Sequence, residues 1–155
     1  MKRKFPVSLI VVSIFVVIIT AIVLYCSANS HSLLLRINWG IYLPEPKEVE
    51  TVFTYDGRDG EEFEIWRYAA SFSPKEKMES VTAGSIYHAR LAFENFRDDL
   101  SYDNERLRLF DQNFVEQIKE GDYWKKVTDS TKPNCYLLLY YDVSHHLLYY
   151  ITWFI

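Results

Sequence analysis

Nineteen consecutive residues, Val7 to Tyr25, carry no charge, and fourteen of them are Val, Ile, Leu or Phe. At about 1.5 Å per residue such a segment makes a helix about 28 Å long, close to the ~30 Å hydrocarbon core of a bilayer. Fourteen such side chains, each favouring lipid by about 0.3 to 0.6 kcal/mol at a helix centre, favour insertion by roughly 4 to 8 kcal/mol. Their β-branched side chains disfavour helix in water, but in lipid the backbone has only itself to bond to, so the helix forms there. The sequence therefore predicts a transmembrane helix over residues 7–26, preceded by a cytoplasmic basic tail, 1–6.

Orientation follows from charge. Lys2, Arg3 and Lys4 are the only charges before Arg36, so the positive-inside bias holds the N-terminus in the cytoplasm and sends the rest of the chain outside. The expected location is the cell membrane, single-pass, with the bilayer itself the first partner. Two other fates compete. Cys26-Ser27-Ala28 offers a small-x-small cleavage site, and cutting after Ala28 would release a secreted protein, although the apolar core exceeds that of an ordinary signal peptide. Cys26 could instead be a lipid attachment point, but Tyr25 stands where a small residue is needed; as a free thiol it reads as a small apolar residue at the membrane edge.

With the anchor set aside, a chain of 155 residues leaves room for one domain. Aromatic residues make up 17% of the chain, enough to predict a packed core and to argue against a disordered stalk. Without the three N-terminal cations, 14 basic residues face 21 acidic ones, a net charge of −7; such a surface repels nucleic acid and anionic head groups. Cys135 is the one cysteine outside the anchor, which excludes an intradomain disulfide.

Residues 27–40 read as a linker turning apolar at Leu33, with Trp39 and Tyr42 placed for either the membrane interface or a strand. Pro44 and Pro46 force extended backbone into the domain, 41–155. There "EVETVFTYDGRDGEEFEIWRY" sets Val49, Thr51, Phe53 and Tyr55 on one face and Phe63 with Ile65 on the other arm, with Gly57 and Gly60 in the turn: a β-hairpin pairing 48–56 with 61–69. Ser73, Pro74 and Glu76 make a capping box that predicts a helix start. Gly84 marks a break before a stripe at Ile86, Ala89, Phe93, Phe96 and Leu100. A further stripe, Leu107, Phe110, Phe114 and Ile118, closes at Gly121 and starts between Asn104 and Asp111. After a polar stretch with Pro133, residues 135–141 and 147–154 form a second hairpin, so continuously apolar that both faces must be covered. The expected fold is α+β: a transmembrane helix, then a small domain of order ββααββ with helices on one face of an antiparallel sheet.

Chemical constellations are sparse. Asp56, Asp59, Glu61 and Glu62 cluster at the first turn and could contact a hard cation, though without EF-hand spacing, and turn chemistry explains them equally. His145 and His146 are adjacent, so on a strand they would point to opposite faces and could not grip one metal without a turn between them; they read as a hairpin tip, and His88 is expected on a helix. Cys135 falls opposite Thr152, at the far end of its hairpin from both histidines, so a thiolate there would lack a base. Asp98 with Asp99, the attractive pair Arg90 and Glu94 and the repulsive pair Glu116 and Glu120 read as solvated helix surface. G-x-S-x-G, P-loop and G-x-G-x-x-G signatures are lacking. No cofactor, metal or catalytic residue is assigned.

The basic start, the single span, "WGIYLPEP" and the acidic hairpin "DGRDGEEFEIWRY" resemble a set of small uncharacterised membrane-anchored proteins of Gram-positive bacteria, over residues 38 to 68 and the closing hairpin. The resemblance implies location and architecture, with no activity or site residue to carry over. The function expected is a non-enzymatic interaction module at the cell envelope, with a protein partner. The competing expectation is a small ligand- or cation-binding, or hydrolytic, domain using the turn at 56–62.

Overall fold

A computed structural model describes residues 7–28, 30–54, 60–114, 118–132 and 134–154. The chain divides into two compact units, residues 1–45 and 46–155.

The first unit holds two helices. Helix α1 spans Val7–Ala28, 22 residues, and its side chains are described from Val11 to Leu24, all of them exposed. Thr20 returns its hydroxyl to the Val16 carbonyl at 2.8 Å, which hides its polarity against the backbone. The described stretch of fourteen side chains reaches about 21 Å, and among the described residues no helix is long and apolar enough to cross a membrane. The basic tail and the side chains of Cys26 and Ala28 lie outside the described residues.

Residues expected as a linker contain helix α2, His31–Trp39. Both ends are capped. Ser30 accepts from the Leu33 N–H, and Gly40 closes the helix at φ 68°, its N–H bonded to Arg36, a left-handed conformation that costs glycine little. Glu45 folds back onto the first turn and accepts from the Ser30 hydroxyl at 2.9 Å and the His31 and Ser32 N–H groups at 3.1 and 3.3 Å. Burial works to raise the Glu45 carboxyl, and hydrogen bonds from Ser32 and Ser30 outweigh it and hold it below the ordinary carboxylate value. A Ser/Gly bracket around nine residues was the signal for this helix.

In the second unit, strands β1 (Glu48–Phe53), β2 (Gly60–Arg67), β3 (Glu79–Ser80), β4 (Tyr123–Thr128), β5 (Tyr136–Asp142) and β6 (Leu147–Phe154) form one antiparallel sheet of order β1-β2-β6-β5-β4-β3. Helices α3 (Ile86–Asp99) and α4 (Asn104–Asn113), joined by a 3-10 turn at Leu100–Tyr102, lie between β3 and β4 in sequence. The α+β class and both hairpins match expectation. The order is βββααβββ rather than ββααββ, since β3 and β4 add to the two hairpins, and α4 ends at Asn113, short of Phe114 and Ile118 in the expected stripe. The Ser73-Pro74 capping box opens only a single turn, in which Pro74 accepts from Lys77 and Met78, and the helix begins at Ile86. The polar stretch before Pro133 contains β4, whose Tyr, Trp, Val and Thr suit a strand despite the two lysines between them. Thr152 pairs with Leu137, which leaves Cys135 just before β5.

The registers place Phe63, Ile151 and Leu138 in one row across β2, β6 and β5, and Ile65, Tyr149 and Tyr140 in the next. Against these rows α3 and α4 bury Ala89, Phe93, Phe96 and Phe110, so the helical stripes meet one face of the sheet. A bulge between Thr51 and Phe53 turns Phe53 into this core, edge-on to Phe63 at 5.7 Å between centroids. Trp66, Tyr150, Leu139, Tyr141 and Leu148 on the opposite face are buried too. Trp66 stacks on Tyr150 at 4.9 Å, and Phe72, in the segment after β2, meets the Tyr141 ring edge-on. Continuous apolarity in β5 and β6 thus reflects central strands buried on both sides.

Candidate functional site

Buried polar groups of the second unit form two larger clusters, apart from Glu64 on the opposite sheet face, which accepts from the Trp66 Nε1–H at 2.6 Å and the Thr51 hydroxyl at 3.3 Å. The first is the tip of the β5–β6 hairpin. Asp142 ends β5 fully buried and is surrounded by donors: the Ser144 N–H at 2.8 Å and its hydroxyl at 2.5 Å, the His145 N–H at 3.1 Å and the His145 Nδ1 at 2.6 Å. Burial would raise this carboxyl, and hydrogen bonds from Ser144 and His145 outweigh it and hold it below the ordinary aspartate value. Beneath it, buried Asp122 accepts from the Tyr140 hydroxyl at 2.5 Å and the Val143 N–H at 3.1 Å. Burial, then the bond to Asp122, pushes the Tyr140 hydroxyl far above its usual range.

Ser144, His145 and Asp142 are the residue types of a nucleophilic triad, but their geometry is that of a turn. One nitrogen of His145, Nδ1, faces both the carboxylate at 2.6 Å and the Ser144 hydroxyl at 3.2 Å. A base needs one nitrogen for the carboxylate and the other for the hydroxyl. The Ser144 hydroxyl also bonds the carboxylate directly. The arrangement fixes a four-residue loop in which His146 adopts φ 59°.

The second cluster joins the sheet to the helices. Glu61, on the helix-facing side of β2 and 3% exposed, accepts from Arg106 of α4 and from the Tyr102 hydroxyl. Asp103 caps α4 through the Glu105 and Arg106 N–H groups and also faces the Arg106 guanidinium at 3.4 Å. Partial burial of its hydroxyl end, reinforced by Glu61, pushes Tyr102 up to about 12, although the residue is 65% exposed. Next to it the Tyr136 hydroxyl donates to Asp99 at 3.0 Å.

A cleft of about 290 Å³ opens between α3 and α4, floored by Phe93, Phe110 and Phe114 and rimmed by Arg90, Arg97 and Asp111. Its guanidinium groups are engaged: Arg97 grips Asp111 through two bonds of 2.7 and 2.8 Å, and Arg90 donates to the Ile118 carbonyl at 3.1 Å.

The structure separates the residues singled out in the acidic turn. Asp56 and Asp59 lie outside the described residues, whereas Glu61 and Glu62, adjacent on a strand, point to opposite faces, Glu61 toward Arg106 and Glu62 toward the Thr152 hydroxyl at 3.5 Å. Among the described residues no group of three His, Cys, Asp or Glu side chains could hold a metal ion. His88 is exposed on α3 beside Tyr87. Cys135 is buried, its N–H donating to the Lys132 carbonyl and its carbonyl accepting from the Asp129 N–H. Asp98 and Asp99 are exposed, and Glu116 lies outside the described residues. Sequence reasoning passed over Asp122, Tyr140, Tyr102 and Arg106. Their roles depend on contacts 18 to 45 residues apart, as the Tyr140–Asp122 and Arg106–Glu61 bonds show, and no local spacing announces them.

Family models, curated proteins and solved structures were each compared with the chain, and none matches.

Proposed function

We propose that this chain is a single-pass, membrane-tethered protein of the cell envelope whose residues 46–155 act outside the membrane by binding another protein. The observation that carries the reading is α1: its backbone is helical for 22 residues, about 33 Å, and its described side chains are exposed on every side, from Val11 at 58% to Leu24 at 63%. A helix apolar all round belongs in a core or in lipid. Lys2, Arg3 and Lys4 set the tethered end in the cytoplasm. Binding rather than turnover is favoured because the buried carboxylates of the domain, Glu61, Glu64, Asp122 and Asp142, are each consumed in bonds to neighbouring side chains and turns.

Fractionation and in-cell crosslinking test this together. The full chain is expected to stay in membranes through an alkaline carbonate wash, to lose residues 46–155 to protease added outside the cell, and to carry a crosslinked protein on pull-down. A mature chain dissolved in the medium and beginning near Asn29 would overturn the tether; recovery of the uncrosslinked monomer alone would overturn the binding role.

The acidic faces available for a partner include the outer strand β1, where Glu48 and Glu50 are exposed. The aromatic C-terminal hairpin, by contrast, supplies the two central strands, so β1 and the two-residue β3 are the edges a partner strand could meet.

A further inference from the structure

Helix α2 has two apolar sides. Leu35 is completely buried. At 100° per residue, Leu33, Ile37 and Leu34 fall within an arc of about 100° on the other side of the helix, and there Leu34 is 41% and Ile37 68% exposed. Leu33 is half-buried, and the arc is flanked by the exposed polar residues Arg36 and Asn38. The Arg36 guanidinium lies 4.3 Å from the ring centroid of Tyr42, itself 52% exposed.

Position decides what covers this arc. Only Asn29 and Ser30 separate the end of α1 from the start of α2, a span of three peptide links and about 10 Å at most. If α1 crosses the bilayer, the first turn of α2 therefore starts within the interfacial layer, which adds roughly 5 to 8 Å on each side of the hydrocarbon. The helix carries no acidic residue, its single charge is Arg36, and an arginine stacked on an exposed tyrosine suits the phosphate and aromatic level of a membrane surface. The Glu45 carboxylate and Ser30 satisfy the N–H groups of the first turn, removing the open donors that would resist entry into a poorly hydrated layer.

We infer that α2 is an interfacial helix lying on the outer leaflet, with Leu33, Leu34 and Ile37 sunk among the upper acyl chains and Arg36 with Tyr42 at the head groups. This rests on α1 being the membrane anchor. The α2 arc thereby fixes the height at which the chain leaves the bilayer.

The test places a benzophenone photocrosslinker at Ile18, Ile37 or Glu50 of the full chain, in nanodiscs of phosphatidylglycerol and phosphatidylethanolamine, and reads adducts by mass spectrometry. Lipid adducts are expected at Ile18 and at Ile37, the latter at about tenfold the yield found at Glu50 if its face sits in the acyl boundary. Lipid adducts at Ile18 with Ile37 no better than Glu50 would overturn the interfacial placement and leave the anchor standing. Absence of lipid adducts at both Ile18 and Ile37 would remove the anchor and the inference together, and a polypeptide adduct at Ile37 in place of lipid would reassign the arc to protein docking.

Discussion

Arg106 of α4 reaches across to Glu61 of β2 and forms an ion pair in which the carboxylate side chain is 4% exposed and the guanidinium side chain 25%. Tyr102 donates to the other carboxylate oxygen. One buried negative charge thus ties the 3-10 turn and α4 to the sheet. Removing the cation alone would strand that charge, and Arg106→Met is expected to destabilise the fold by about 3 to 5 kcal/mol, the range for breaking a buried pair. Tyr102→Phe removes a hydrogen bond to a charged group and should cost about 1.5 to 3 kcal/mol. Combining Arg106→Met with Glu61→Gln should recover much of the first loss. Urea unfolding of the full chain, followed by tryptophan fluorescence and with Glu61→Gln alone included to close the cycle, measures them all; a double-variant loss equal to the sum of the Arg106→Met and Glu61→Gln losses would show that the pair is not coupled.

How much of this fold could be read from the residues depends on the range of the interactions that build each part. The stripe Ile86, Ala89, Phe93, Phe96 and Leu100 is periodic along α3 and into the 3-10 turn that follows it, and four of the five are buried while Ile86 is half-buried. Both hairpins have short-range signals, and β5 and β6 pair within a residue or two of the expected register. Strand β4 failed because Lys125 and Lys126 interrupt its apolar pattern, while its stability comes from pairing with β5 and from the Lys125 ammonium reaching the Lys77 carbonyl at 2.9 Å. Ser73-Pro74 carried a valid local helix signal that tertiary packing overrode: Pro74, Met78 and Val81 are buried, and the chain runs extended into β3. The polar clusters were illegible for a stronger reason, since Glu61 and Arg106 acquire a meaning only once the sheet and helices have met.

Asp142 makes stability depend on acid. Its carboxyl is held below the ordinary aspartate value of 3.8 by Ser144 and His145 against the effect of burial, so the native state favours the charged form. The contribution is complete above the unfolded value and is lost as pH falls from there through the depressed folded value. Stability should therefore drop as pH falls below about 4. Asp142→Asn should cost about 1 to 3 kcal/mol at neutral pH and flatten that acid limb. An unchanged slope would assign the acid sensitivity elsewhere.

Core packing offers a check on which side of α3 faces the sheet. Phe96 is fully buried and meets Phe110 at 5.3 Å and Trp153 at 6.1 Å between ring centroids. Phe96→Ala should cost about 3 to 5 kcal/mol through lost burial and the cavity left behind. Tyr87, on the same helix but 66% exposed, should tolerate Tyr87→Ala within about 0.5 kcal/mol. The same urea unfolding measurement reads both, and comparable losses would rotate the helix relative to the arrangement described.

Alkaline pH should expose the tyrosines of the central strands. Burial, with the Asp142 charge adding to it, pushes Tyr149 up to about 12, and Tyr136 and Tyr140 are raised as well, by burial together with Asp99 and Asp122 respectively. Each is neutral in the folded state at a pH where an unfolded tyrosine, near 10, has begun to ionise. The sign is opposite to that of an acid limb: the stabilisation is full below about 10 and is lost as pH rises toward the folded value. Unfolding free energies measured from pH 8 to 12 should fall steeply above 10. In the core the Tyr149 ring stacks on Tyr140 at 5.8 Å and on Phe63 at 6.3 Å between centroids. Tyr149→Phe should therefore keep the packing, leave neutral-pH stability within about 1 kcal/mol, and make the decline above pH 10 shallower. A decline of the same steepness would mean that Tyr149 ionises in the folded protein, and that this face of the sheet is wetter than its burial implies.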